Sequence, residues 1–187
     1  STFNNNVAHR GAGGAIANED AIVEIVNSVF SGNDTSRDGG AIYINEGNSL
    51  IVGSVFKNNH AGSGSTSGGA ISAASGETTN LLSTFYGNRA GSGGGVYVGL
   101  SATVSLFGNV LWKNQKSPPG DPFESNLEIR DGASTTASYN CIEGQTDSND
   151  GNLLDCDPLF VDAAGGDFTL GVGSPAIDAI DGAGFSL

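Results

Sequence analysis

The 187-residue chain has no methionine, one tryptophan, two cysteines and five prolines, and only seven of its residues are lysine or arginine. Each shortage excludes something. Seven cations against 20 acidic residues leave a net charge of −13, without the basic patch on which nucleic-acid binding runs. No run approaches the ~20 apolar residues of a membrane-spanning helix. Two cysteines with no His or Cys neighbour do not make a zinc site. Cys141 and Cys156 are a disulfide candidate if the compartment is oxidising, and two buried thiols otherwise. Long amphipathic helices are disfavoured, because Gly, Asn, Ser and Thr fill the gaps between apolar residues. The excess is glycine, 30 residues, beside 37 % hydrophobic residues. That composition is too apolar for a disordered linker. It requires a fold with many backbone positions that suit glycine alone.

Self-comparison supplies such a fold. An apolar residue, two variable residues and an asparagine recur as Phe3…Asn6, Phe30…Asn33, Phe56…Asn59, Phe85…Asn88 and Leu111…Asn114. Successive copies lie 27, 26, 29 and 26 residues apart, and a degenerate copy, Ile142…Gln145, follows. In phase with them run Gly13-Gly14-Ala15-Ile16, Gly39-Gly40-Ala41-Ile42, Gly68-Gly69-Ala70-Ile71 and Gly93-Gly94-Gly95-Val96. A third apolar slot, Val26, Val52, Leu81 and Phe107, sits four residues before each anchor. Three short apolar clusters per period are strand signals. Leucine-rich repeats need several leucines per unit, which are missing here, and a propeller blade is longer, at ~40 residues.

The period predicts an all-β, right-handed, three-sided parallel β-helix of about six to seven coils of ~26 residues. Residues 1–146 carry the repeats and 147–187 form a closing segment of the same domain. Phe3, Phe30, Phe56, Phe85 and Leu111 stack as an interior column with layers ~4.8 Å apart; Ile16, Ile42, Ile71 and Val96 make another. Asn6, Asn33, Asn59, Asn88 and Asn114 form a ladder at one corner, taking its left-handed conformation and bonding to the copies above and below. The paired glycines occupy a second corner where a Cβ would clash. Residues 63–67 lengthen the third period as a loop. Asn33-Asp34-Thr35 matches a glycosylation sequon, but the ladder would bury it.

The paired motifs resemble the repeats of polymorphic outer-membrane proteins and of the wider pectate-lyase-like β-helix superfamily. The stretches Asp157-Pro158-Leu159-Phe160-Val161-Asp162, Gly166-Asp167-Phe168-Thr169-Leu170 and Gly173-Ser174-Pro175-Ala176-Ile177-Asp178 resemble the closing segment of bacterial secreted β-helix proteins. The resemblance implies the fold and an extracellular or cell-surface location. It does not imply a reaction, because this fold carries lyases, hydrolases, adhesins and passive stalks. Compared with full members, the chain shows no N-terminal cap and no C-terminal anchor.

The repeat register also predicts outward rows. The residue after each anchor gives Lys57, Tyr86 and Trp112 on neighbouring coils, a cation beside aromatics as in a sugar strip or subunit contact, unless the row packs under a loop. The residue after each ladder asparagine gives Asp34, His60 and Arg89, which could do acid–base work but as readily form a solvated charge row. Asp147, Asn149, Asp150, Asp155 and Asp157 concentrate oxygen ligands suited to Ca²⁺, although such residues also simply make turns. No catalytic set can be assembled, and no cofactor other than calcium is indicated. The chain opens in mid-repeat, so the expectation is a fragment or processed unit of a surface adhesin, stalk or self-assembling fibre. Its ends would stack on its own copies or on neighbouring coils of a longer chain. The rival reading is a carbohydrate-active enzyme, or its binding module, acting on an acidic polysaccharide.

Overall fold

The computed structural model describes residues 1–62, 64–116, 126–144, 149–153 and 155–179. Nearly all regular structure is β, in three parallel sheets that the chain visits in turn. The anchor sheet has six strands: Thr2–Asn4, Val29–Ser31, Val55–Lys57, Thr84–Tyr86, Val110–Trp112 and Cys141–Ile142. The narrow sheet has five two-residue strands, from Val7–Ala8 to Gln115–Lys116. The broad sheet contains Ile71–Leu81 and Val96–Phe107, each long enough to pair with two shorter strands of a neighbouring coil. Phe3 pairs with Phe30, Phe30 with Phe56, Phe56 with Phe85, and Phe85 with Leu111, all in parallel register. The chain is therefore a parallel β-solenoid. The expected six to seven coils are not reached: among the described residues beyond Ile142 no strand joins the three parallel sheets. Phe160–Asp162 and Asp167–Leu170 pair antiparallel instead.

The core is a set of columns. Phe30, Phe56, Phe85 and Leu111 are fully buried. The rings of Phe3, Phe30, Phe56 and Phe85 stack nearly parallel with centroids 4.6, 4.8 and 4.9 Å apart, which is the layer spacing of the strands themselves. Ile42, Ile71 and Val96 fill the second column. The third column departs from expectation. Val26 is 43 % exposed, and Val52, Leu81 and Phe107 are only partly buried. The interior positions are one residue earlier, at Ile25, Ile51, Asn80 and Leu106. In the first two coils both candidates are apolar (Ile25-Val26, Ile51-Val52), so alternation alone does not choose a face. The turn into the anchor sheet chooses it.

Asn80 thus stands between Ile51 and Leu106 in an apolar column. It is 1 % exposed, and neither its Nδ2 nor its Oδ1 has a hydrogen-bond partner. An unpaired buried amide costs about 1–3 kcal/mol. Asn80→Leu is expected to raise the unfolding free energy by about 1–2 kcal/mol in urea titrations, and an unchanged midpoint would contradict that account.

The corners explain the asparagines. Asn33 Oδ1 accepts from Asn6 N–H (3.1 Å) and Asn6 Nδ2 (2.8 Å), while Asn33 Nδ2 donates to the carbonyl oxygen of Phe3 (3.0 Å). The pattern repeats through Asn59, Asn88 and Asn114. Buried corner amides are thereby paired, as they must be. Asn33 is fully buried, which closes the sequon. The left-handed residue is not the ladder asparagine but the one before it: Asn5, Gly32, Asn58, Gly87 and Lys113 have φ near +55 to +65°. A ladder asparagine in that conformation would turn its side chain away from the rung below.

A second ladder, unexpected from the sequence, holds the corner between the broad and anchor sheets. Ser28, Ser54, Ser83, Asn109 and Asn140 each lie two residues before an anchor-sheet apolar residue. Each backbone N–H donates to the side-chain oxygen of the next rung, from Ser28 N to Ser54 Oγ (3.2 Å) through to Asn140 N to Asn152 Oδ1 (3.0 Å). Mixed Ser and Asn hid this period; the shared signal is a short acceptor at a fixed distance from the anchor.

Candidate functional site

The outward faces of the sheets carry the side chains free for chemistry, and the register places them in rows. Lys57, Tyr86 and Trp112 do lie side by side on the anchor sheet. They are not an open strip. The C-terminal hairpin packs on Tyr86, which is tilted against Phe168 (5.4 Å between centroids) and edge-on to Phe160 (6.4 Å). A Cβ on Gly166 would lie 2.8 Å from Lys57 Nζ, so the hairpin turn reaches that lysine too. The reason is apolar pairing: Phe160 and Phe168, 5.2 Å apart, need a surface, and Tyr86 supplies one. At the turn, hydrogen bonds from the Thr169 hydroxyl and backbone hold the Asp167 carboxyl below its ordinary pKa.

Asp34, His60 and Arg89 also fall in register on the narrow sheet. Asp34 Oδ2 lies 3.1 Å from His60 Nδ1. Arg89 Nε is buried without a hydrogen-bond partner. The row is a carboxylate–imidazole pair with a cation one layer on.

The acidic stretch is described only in part. Asp147 lies outside the described residues. Asn149, Asp150 and Gly151 make a single 3₁₀ turn, with Asp150 at φ 55°. Asp155 Oδ1 accepts from Gly144 N–H, and Asp157 Oδ1 from Leu159 N–H. Among the described residues no group of three or more His, Cys, Asp or Glu side chains could hold a metal ion. Asp157 satisfies its own turn, as such residues commonly do, and Asp155 ties the stretch back to the end of the last anchor strand.

Cys141 and Cys156 are disulfide-bonded, joining the last anchor strand to the start of the closing segment. The bridge spans 15 residues, and a loop of that length stabilises by about 3 kcal/mol in the chain-entropy account. The Cys141→Ser/Cys156→Ser double variant is expected to lose about that much in chemical denaturation, with the hairpin amides around Phe168 exchanging fastest.

The two ends differ. At the N-terminal end Thr2–Asn4, Val7–Ala8, Ile16–Glu19 and Ile22–Val26 each pair on one side only. Phe3, Ile16 and Val23 line an open concavity there. At the other end Ile142 is 3 % exposed. Asn126 takes the rung beyond Asn114, and Asn152 the rung beyond Asn140, each after only 12 residues, too few for a circuit. The expected sixth rung, Gln145, lies outside the described residues.

The model of the Chlamydia polymorphic membrane protein repeat matches residues 1–19, 27–45 and 53–74, about a third of the chain. Each match begins near an anchor and runs through the glycine pair, so one match is one phenylalanine rung, one asparagine rung and one glycine corner. The matched coils of this parallel β-solenoid carry repeats of the polymorphic outer-membrane-protein type. Searches of curated proteins and of solved structures found no match. The later coils lie outside the matched segments, and there Leu111 stands for phenylalanine and Gly95 for alanine. In this polymorphic-membrane-type chain the repeat residues are architecture: they fill columns and corners and leave the outward rows to differ from coil to coil.

Proposed function

We propose that the chain is a rigid, non-catalytic segment of a cell-surface protein, a length of stalk or adhesin shaft. The carrying observation is the pair of side-chain ladders, which lock every layer to the next at two corners. The matched family is named for a membrane protein, and the disulfide suits an oxidising exterior.

The partner of the N-terminal face, on this reading, is a further coil of the same repeat. By the pattern of the other rungs, Asn6 Oδ1 and one Asn6 amide hydrogen are left for it, with Phe3 as the next ring in the stack. A second copy stacked head to tail is the weaker occupant, since the opposite end would have to present matching edges, and short returns and the disulfide-tied segment take those places.

Duplicating residues 28–53 directly ahead of Ser1 would supply one coil in register. The expected result is a higher unfolding temperature and slowed hydrogen exchange at the amides of Phe3 and Asn6. Unprotected amides there would overturn the partner, and failure of antibodies against the chain to label intact producing cells would overturn the location.

A further inference from the structure

One outward row remains. On the broad sheet Ala17, Tyr43, Ser72, Tyr97 and Glu128 lie in register on successive coils. Tyr43 and Tyr97 flank Ser72 from two layers, about 9.6 Å apart. Ser72 points outward yet is 1 % exposed, so its surroundings close over it. Beside it lies a recess of about 430 Å³, within the range of small-ligand sites.

Two departures from the repeat border this recess. The extra residues of the third period place Ser65 and Ser67 on one margin, where Asp38 Oδ1 accepts from Ser67 N–H at 2.7 Å. The register between the strands Ile71–Leu81 and Val96–Phe107 slips after Ala73, and Gly99 and Leu100, on the slipped stretch, line the other margin with Arg130. Insertions in repeat proteins gather on the binding face, and bulges re-aim side chains next to sites. Leu100 is 64 % exposed, an apolar lip.

We propose that this recess binds a neutral saccharide, one or two pyranose rings, against Tyr43 and Tyr97. Aromatic side chains offer apolar surface to the C–H faces of a sugar and polar tips to its hydroxyls. The serines, Asp38 and Arg130 supply hydrogen-bond donors and acceptors around them. Tyr43 keeps its proton and so remains a donor: burial raises its pKa, and the charges of Asp38 and Glu19 raise it further. The lining carries one carboxylate and one guanidinium, with no net charge. A uronate or phosphate would enter against the field of a chain with net charge −13. Asp38 already accepts from Ser67 N–H and the Arg130 guanidinium lies 4.0 Å from Glu128, but a purely apolar ligand would leave their remaining donors and acceptors unmet, and an organic cation would meet Arg130. The site is separate from the stalk reading and stands or falls without it.

The test is saturation-transfer NMR and calorimetry with methyl glycosides of glucose, galactose, mannose and N-acetylglucosamine, with methyl glucuronide as the charged comparison. The expected result is binding of at least one neutral glycoside with Kd of about 1 mM, weakened at least tenfold in Tyr97→Ala and unchanged in Trp112→Ala. Leu100→Arg, at the exposed lip, gives the same loss without touching the fold and decides the matter if Tyr97→Ala does not fold. No binding by any neutral glycoside, tighter binding of the glucuronide, or binding that survives these variants would overturn the proposal.

Discussion

Gly40→Ala is expected to abolish folding, with soluble yield lost or stability reduced by more than about 4 kcal/mol. Gly40 does not need a left-handed backbone; its difficulty is space. A Cβ there would lie 2.0 Å from the carbonyl oxygen of Gly69 and 2.7 Å from the backbone N and C of His60. Those atoms belong to the next coil, which is tied to the coil of Gly40 by hydrogen bonds from His60 N–H to Asn33 O at 2.8 Å and from Gly40 N–H to Gly68 O at 2.9 Å. No flexible side chain can swing away, so relief requires prising apart two layers. The neighbouring Gly39 fails on two counts: at φ 71° it sits where L side chains are strained, and a Cβ there would also run into the backbone of Ile42 and Tyr43. The comparison is Gly11→Ala, whose Cβ would meet nothing within 4 Å and whose stability is expected within about 0.5 kcal/mol of the parent. Thermal unfolding of the two variants side by side reads the difference, and a well-folded Gly40→Ala chain would contradict the layer spacing itself.

Asn59→Leu is expected to lose about 4 kcal/mol in urea denaturation. The substitution nearly conserves volume but strips a fully buried rung. Asn33 loses the acceptor for its N–H (3.0 Å) and for its Nδ2 (2.8 Å), and the carbonyl of Phe30 loses its donor (3.0 Å). Each buried group left unpaired costs about 1–3 kcal/mol. The damage has a local signature. The amide of Asn33 is expected to exchange faster than that of Asn114, two rungs removed from the lesion. Equal protection at both would mean that the ladder is decoration on a stack held by phenylalanine alone. The contrast with Asn80→Leu is the sharper statement: the same substitution destabilises at a corner where the amide is fully partnered and stabilises in a column where it has no partner.

Most of the architecture was legible before any coordinates, because a solenoid repeats its contacts in sequence. Phe30 and Phe56 occupy equivalent positions, so a fixed spacing between them is already a statement that they stack. The glycine pairs were legible for the same reason. Less was legible where two residues could serve one role. Ile25-Val26 and Ile51-Val52 offer an apolar side chain to either face, and the ladder Ser28, Ser54, Ser83, Asn109 and Asn140 mixes two residue types that share only a short acceptor. The outward rows were legible as rows, since register follows from period, but not as surfaces. Nothing in the spacing of Lys57, Tyr86 and Trp112 says that Phe160 and Phe168 return to pack on Tyr86, and the acidic stretch gives no sign that Asp155 accepts from the Gly144 amide.

The period, and with it the phenylalanine and isoleucine columns, the asparagine ladder and the glycine corner, was determined by the sequence alone, because neighbours in a solenoid are separated by a nearly constant number of residues. Tertiary structure decided which outward row is covered, which end is closed and where a recess opens. Those depend on the non-repeating parts, the loop carrying Ser65 and Ser67, the slipped register at Gly99-Leu100 and the hairpin of Phe160–Asp162 and Asp167–Leu170, whose partners are chosen by shape and apolar area in space rather than by spacing along the chain.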